Sequence, residues 1–145
     1  MEQWELAARE SIRDLVARYN ANGDSGRFEP LLELFAEEAV MELPDARHEG
    51  KAAIRSMFEA VAQGTGESTG ARARFIRHFT ATLQIDVHDA TEASSRCYYA
   101  VLTDQGLDHW GRYIDRYRCT DGRWFFWHRK VTLDAGVPGG WGDTD

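Results

Sequence analysis

The hydrophobic period of this chain changes once along its length, and that change limits the folds open to it. Through about residue 63, apolar side chains recur three and four apart, which is the stripe of an amphipathic helix. Beyond that point four long segments rich in β-branched and aromatic residues follow one another with only short polar links, the pattern of antiparallel hairpins. Helices gathered first and strands afterwards favour an α+β layer. The expected form is a cone-shaped barrel, in which three N-terminal helices pack on a curved, mainly antiparallel sheet around an apolar interior.

In detail, Ala8, Ile12, Leu15, Val16 and Tyr19 predict a first helix over about residues 5–22. The turn formers of residues 20–26 then lead to a second helix marked by Phe28, Leu31, Leu32 and Phe35. Residues 39–43 read as a short strand ended by Pro44 and Asp45, with residues 47–49 pairing back onto it. Ile54, Met57, Phe58 and Val61 mark a third helix over about residues 51–63, and the aperiodic, glycine-rich stretch 64–70 reads as an exposed, mobile loop. The long strands are expected at residues 74–87, 92–103, 107–119 and 123–133. The domain is therefore taken as residues 1–135, with a Gly/Pro-rich tail over 136–145 whose Trp141 is able to fold back over the cone mouth or a neighbouring subunit.

A chain of 145 residues, 43% hydrophobic, suits one domain with one core. Its net charge of −7, with no Lys/Arg cluster, argues against a nucleic-acid partner, because such binders gain affinity by neutralising phosphates. No apolar run is long enough to span a bilayer and the first residues lack a signal-peptide pattern, so a soluble, cytoplasmic protein without a membrane partner is expected. Cys97 and Cys119 fall in strand-like segments, as two reduced and mostly buried thiols. His48, His88 and His109 have no metal-ligand spacing, so no metal site is assigned and all three read as surface residues.

Two residues carry the candidate chemistry. Asp24 sits where the first helix hands over to the second, where an aspartate either caps the next helix or presents its carboxylate elsewhere. His78 lies in the middle of the first long strand, with Ile76 and Thr80 on its face, and an imidazole directed into a core needs a partner. A carboxylate accepting from one ring nitrogen fixes the tautomer and stabilises the imidazolium, leaving the other nitrogen free to take a proton. Tyr19, on the apolar stripe of the first helix, either presents its hydroxyl to the same space or packs as a half-buried aromatic. Asp115 and Arg116, alternating with Tyr113 and Tyr117, read as members of cross-strand ion pairs.

Ile12-Arg13-Asp14-Leu15, Tyr19 followed by Asp24, Leu34-Phe35, Glu49-Gly50, Arg77-His78-Phe79, Gly111-Arg112-Tyr113 with Asp115 and Tyr117, and Gly122-Arg123-Trp124 with His128-Arg129 together resemble the SnoaL-like family of the nuclear transport factor 2-like superfamily. Within it the pattern is similar to cofactor-independent lyases: bile-acid dehydratase, hexachlorocyclohexane dehydrochlorinase and, more distantly, scytalone dehydratase. The resemblance implies His78 as base, Asp24 as its support and Tyr19 beside them, with no cofactor. It further implies an apolar pocket, in which Tyr99, Val101, Tyr113, Trp127 and Arg129 are expected to contact a small hydrophobic, aromatic or polycyclic substrate. Where bile-acid dehydratase carries another catalytic carboxylate this chain has Val101, and near the second histidine of scytalone dehydratase it has Thr103. A general acid would then be Tyr19, His109 or a water, or the leaving group departs unaided. The resemblance leaves open an isomerase or polyketide cyclase using the same base, a structural subunit of the ring-hydroxylating dioxygenase β type, and a plain binding protein. Packing through the exposed strand faces is expected to give a homodimer or homotrimer.

Overall fold

The computed structural model describes residues 1–68 and 75–141, the side chains of residues 64–68 excepted. Helix α1, Gln3–Asp24, buries Ala8, Ile12, Leu15, Val16 and Tyr19, the stripe read from the sequence, together with Asn20 and Asn22. It stops in a Schellman turn. Arg27 N–H donates to the Asn22 carbonyl at 2.9 Å and Gly26 N–H to that of Gly23 at 3.2 Å, while Gly26 takes a φ of +71° that a side chain would disfavour. Asp24 therefore lies in the last helical turn, one residue before the cap at Ser25.

Helix α2 is shorter than expected, covering Phe28–Leu32, because Phe35 already opens strand β1, Phe35–Leu43. Pairing with the last strand outcompetes another helical turn: Phe126 N–H donates to the Leu34 carbonyl at 2.9 Å, and the buried Phe35 and Phe126 rings lie 5.2 Å apart. Strand β2, Ala46–Glu49, pairs back antiparallel on β1. Helix α3, Lys51–Ser68, continues beyond residue 63 into the stretch expected to be a loop. Glycine weakens a helix by about 1 kcal/mol without breaking its hydrogen bonds as proline does, and this stretch has no proline. Residues 69–70 of that expected loop lie outside the described residues.

Strands β3 (Ile76–Val87), β4 (Glu92–Thr103), β5 (Gly106–Thr120) and β6 (Arg123–Gly136) form the antiparallel run. The six-stranded sheet has the order β2-β1-β6-β5-β4-β3, with β1 parallel to β6 and every other pairing antiparallel. Register shifts interrupt four of these pairings, and such bulges bend and twist a strand. The sheet is curved but unclosed, with β2 and β3 as its edges. Helix α1 packs on β3 and β6 and α3 on β1 and β2, so helices complete the cone that strand pairing leaves open. Among the described residues no helix is long and apolar enough to cross a membrane. Cys97 is buried and Cys119 half-buried, both as free thiols.

The core holds a sealed charge pair. Arg129 and Asp115 face each other across β5 and β6 and bond through two N–H···O contacts of 2.8 Å, with both side chains 0% exposed. Burial alone would pull the guanidinium down, but the Asp115 charge and its hydrogen bonds hold Arg129 above its ordinary value. The rings of Tyr113, Tyr19 and Phe126 cover the cation at 3.9, 4.2 and 4.5 Å.

Candidate active site

A cavity of about 370 Å³ opens between the helices and the concave side of the sheet. Helix α3 contributes Met57, Phe58, Val61 and Ala62, β1 contributes Met41 and Leu43, and the end of α1 contributes Tyr19, Asn20, Gly23 and Asp24. The sheet adds Ile76, His78, Tyr99, His109 and Tyr113. The lining is mostly apolar with a few polar groups converging on it, the usual form of a small-molecule site, and its volume lies at the lower end of the range of about 300–1,000 Å³ for such sites.

Asp24 does not cap α2, whose N-cap is Arg27 without a side-chain bond. Its carboxylate instead crosses to the edge strand β3, where both oxygens meet one residue. His78 Nδ1–H donates to Oδ1 at 2.6 Å and the His78 backbone N–H to Oδ2 at 2.8 Å. An ionised carboxylate only accepts, so the bond assigns the ring proton to Nδ1 and leaves Nε2 as the basic nitrogen. The backbone bond also satisfies a donor on the free edge of the sheet, which fixes the strand against the helix end. An acidic side chain at the C-terminal end of a helix meets the negative end of its dipole, at a cost of about 0.3–1 kcal/mol, and α1 has no basic residue in its last turn to compensate. The compensation comes from His78. The imidazole lines the cavity with 22% of its side chain exposed, against 10% for Asp24.

Tyr19 lines the same cavity, among the rings of Phe35, Phe58, Tyr113 and Phe126 at 5.9 to 6.2 Å. Burial pushes its hydroxyl up to about 12, against the opposing pull of Arg129, and the hydroxyl lies 4.0 Å from Met41 Sδ. Tyr99 and Tyr113 also line the cavity, stacked at 4.7 Å, and Tyr99 donates its hydroxyl to the Thr132 carbonyl at 2.8 Å. The remaining three expected contacts lie elsewhere. Val101 is fully buried in the row between His78 and His109 and is not part of the lining. Arg129 is sealed beneath the Tyr19 and Tyr113 rings by Asp115. Trp127 stands away from the cavity with the Arg118 guanidinium 3.6 Å over its ring. The cause is a bulge. Arg116 pairs with His128 and Tyr117 with Phe126, so Trp127 is the unpaired extra residue, and the alternation that would have put it on the face of Arg129 breaks there.

Three further groups line the cavity, of which Asn20 escaped the sequence reading, while His109 was a candidate acid and Trp141 was expected to be able to fold back over the cone mouth or a neighbouring subunit. His109, which the sequence offers both as a surface residue and as a candidate acid, lines the cavity and is held by its neighbour: Nδ1 lies 2.7 Å from Asp108 Oδ2. Adjacent strand residues normally point to opposite faces, but Val101 pairs with His109 and Leu102 with Leu107, so Asp108 is a bulged residue and both side chains are largely buried. The Asp108 carboxylate also accepts the Trp141 backbone N–H at 2.9 Å and draws the tail back until Trp141 lines the cavity. A Cβ at position 140 would come within 2.7 Å of that carboxylate, so a side chain there would have to displace Asp108. Asn20, buried at the cavity wall, accepts from the Tyr113 hydroxyl at 3.4 Å through Oδ1, while its Nδ2 has no partner among the described residues. An unpaired buried donor beside an apolar cavity is a place for a ligand oxygen. Among the described residues no three His, Cys, Asp or Glu side chains are grouped to hold a metal ion.

The SnoaL-like domain family matches residues 4–130. Among curated proteins none matches this chain. Similar solved structures include a proposed scytalone dehydratase from Novosphingobium aromaticivorans, with 22% identity over 94% of this chain and 91% of that one, at a TM-score of 0.79. Another is a hexachlorocyclohexane dehydrochlorinase from Novosphingobium barchaimii, with 17% identity over 93% and 92% of the two chains and a TM-score of 0.78. A third is the β subunit of a proposed aromatic-ring-hydroxylating dioxygenase from Novosphingobium aromaticivorans, at 19% identity, 92% and 93% coverage and a TM-score of 0.74. At these identities the likeness is one of fold.

Proposed function

This chain belongs to the SnoaL-like domain family, and from that premise we propose that it is a cofactor-independent lyase that eliminates water or another small leaving group from a small hydrophobic carbonyl compound. The observation that carries the reading is the Asp24 carboxylate bonded at both oxygens to His78, with the imidazole facing an apolar cavity. His78 acts as the general base on a carbon acidified by the carbonyl, and Asp24 holds the tautomer and stabilises the imidazolium that forms. The unpaired Asn20 amide is positioned at the cavity wall to receive the carbonyl oxygen as charge builds on it. Tyr19 contributes a neutral hydroxyl and shape. A cavity of this size favours an aromatic substrate of one or two rings over a larger polycyclic one. An isomerase or cyclase would begin with the same proton abstraction.

The free thiols suit a reducing, cytoplasmic setting. The exposed Phe79, Tyr98 and Ile114 on the outer sheet face suit a homodimer or homotrimer packed there.

The test is β-hydroxypropiophenone in D₂O, followed by NMR for deuterium at the carbon next to the carbonyl and for the enone product. His78→Ala is expected to lose exchange and product together by about 10²–10⁴-fold, and Asp24→Asn to lower both strongly. Unchanged exchange in both variants would overturn the base assignment.

A further inference from the structure

The cavity contains a second imidazole built like the first. Asp108 takes His109 Nδ1 as Asp24 takes His78 Nδ1, and both rings line the same apolar space. Strand register sets the two histidines in one row across β3, β4 and β5, on either side of Val101. Their backbones stand two strand spacings apart, roughly 9 to 10 Å. Tyr99 forms the wall between them, its ring 6.3 Å from that of His78 and 6.0 Å from that of His109. Both imidazoles thus line one cavity of about 370 Å³.

We propose that His109, oriented by Asp108, is the acid that protonates the leaving group across the substrate from His78. The assignment rests on the elimination reading above. The bulge at Asp108 supports it, since it turns a carboxylate and its neighbouring imidazole to the same face, and bulges that re-aim side chains gather beside active sites. The middle strand supports it too, because the residue between the two histidines is an aliphatic valine that moves no proton. Tyr19 is the poorer donor: its hydroxyl lies against Met41 Sδ, and a hydroxyl held near 12 is badly matched to proton transfer at neutral pH.

The step balances as follows. His78 Nε2 takes the proton from the carbon next to the carbonyl, and the C–H electron pair moves into the carbonyl to give the enolate. That pair returns to form the C=C bond while the C–O bond to the β-hydroxyl breaks. The proton on His109 Nε2 passes to the departing oxygen, which leaves as water. His78 has gained one proton and His109 has lost one, and exchange of one proton at each ring with solvent restores the starting state.

The experiment compares two substrates that share a proton to be abstracted but differ in leaving group: β-hydroxypropiophenone, whose hydroxide needs protonation, and β-(p-nitrophenoxy)propiophenone, whose phenolate leaves unaided. His109→Asn keeps a donor near the position of Nδ1 for Asp108 and removes Nε2. It is expected to lower kcat/KM on the hydroxy ketone by about 10²-fold or more while changing the nitrophenoxy ketone by less than about threefold. His109→Gln serves as the second variant should the first lower the melting temperature. Equal losses on both substrates, or no loss on either, would overturn the assignment and leave His109 as a prop for Asp108 and the tail. Retained turnover of both substrates by His78→Ala would instead sink the elimination reading, and this assignment with it.

Discussion

Asp24–His78 and Asp115–Arg129 are both carboxylate pairs on the concave side of one sheet, and in both the two carboxylate oxygens accept from a single partner residue. They differ in what remains once those bonds are made. Around Asp115 solvent is shut out: Tyr117 also donates to it, three rings cover the guanidinium, neither charge reaches water, and the one Arg129 nitrogen without a hydrogen-bond partner among the described residues, Nη1, is itself buried. Around Asp24 the pairing uses one ring nitrogen and one backbone N–H, so the imidazole keeps a second nitrogen for the cavity. A sealed pair holds its charge state permanently and contributes to structure. A pair with one open nitrogen can exchange a proton. The contrast teaches that access separates the two pairs, since each keeps an unpaired nitrogen and only that of His78 belongs to a ring lining the cavity.

The largest effect that would sharpen this contrast falls on the sealed pair. Arg129→Met strands a buried carboxylate and is expected to cost about 3–5 kcal/mol of stability in urea denaturation, whereas the double change Arg129→Met with Asp115→Leu recovers much of it. A small loss in the single variant would break the comparison by making the buried pair dispensable. Next comes Asp24→Asn, which keeps the shape but weakens support for the imidazolium. Turnover should fall about 10²-fold or more while the fold loses less than about 1.5 kcal/mol, read from kinetics and denaturation of the same preparation. Stability falling as much as turnover would move Asp24 into the structural class.

Alkaline titration probes the tyrosines around both pairs. Burial pushes Tyr19 and Tyr99 up to about 12, and Tyr113 and Tyr117 upward as well. Because the neutral form is favoured in the folded state, their contribution is present in full below about pH 10, where the unfolded tyrosines begin to ionise. It is lost as pH rises toward 12. Tyrosinate absorbance of these four should therefore rise together with loss of the circular dichroism signal, and ionisation well before unfolding would contradict their burial. The smallest change is Tyr19→Phe, expected to lower turnover only severalfold if the hydroxyl merely contacts the substrate, and to cost about 0.5–1.5 kcal/mol at most in stability.

The α1 stripe, the four long strands and the meeting of Asp24 with His78 were legible because each follows a regular period or an order of motifs. The misreadings cluster where a strand breaks its period. One extra residue at Asp108 brings His109 to the cavity, and one at Trp127 turns that indole outward. Neither site carries a glycine or proline to mark it, so alternation counted along the chain fails in both strands. Helix α2 was read too long because the spacing of Leu31, Leu32 and Phe35 suits a helix and a strand entry equally well, and pairing with β6 settles it. The reach of Arg129 was misjudged for another reason. Its place in the strand was visible, but its capture by Asp115 depends on the register between β5 and β6.

The turn at Gly26 makes α1 a ruler for the site. Each residue of an α-helix advances the chain by about 1.5 Å and rotates it by about 100°. One residue added or removed within the final turns would swing the carboxylate a quarter of the way around the helix and away from the edge of β3, while leaving the apolar stripe upstream untouched. Length in this segment therefore matters alongside composition: an insertion or deletion between Tyr19 and Gly26 is expected to turn the carboxylate away and leave the imidazole unaccompanied.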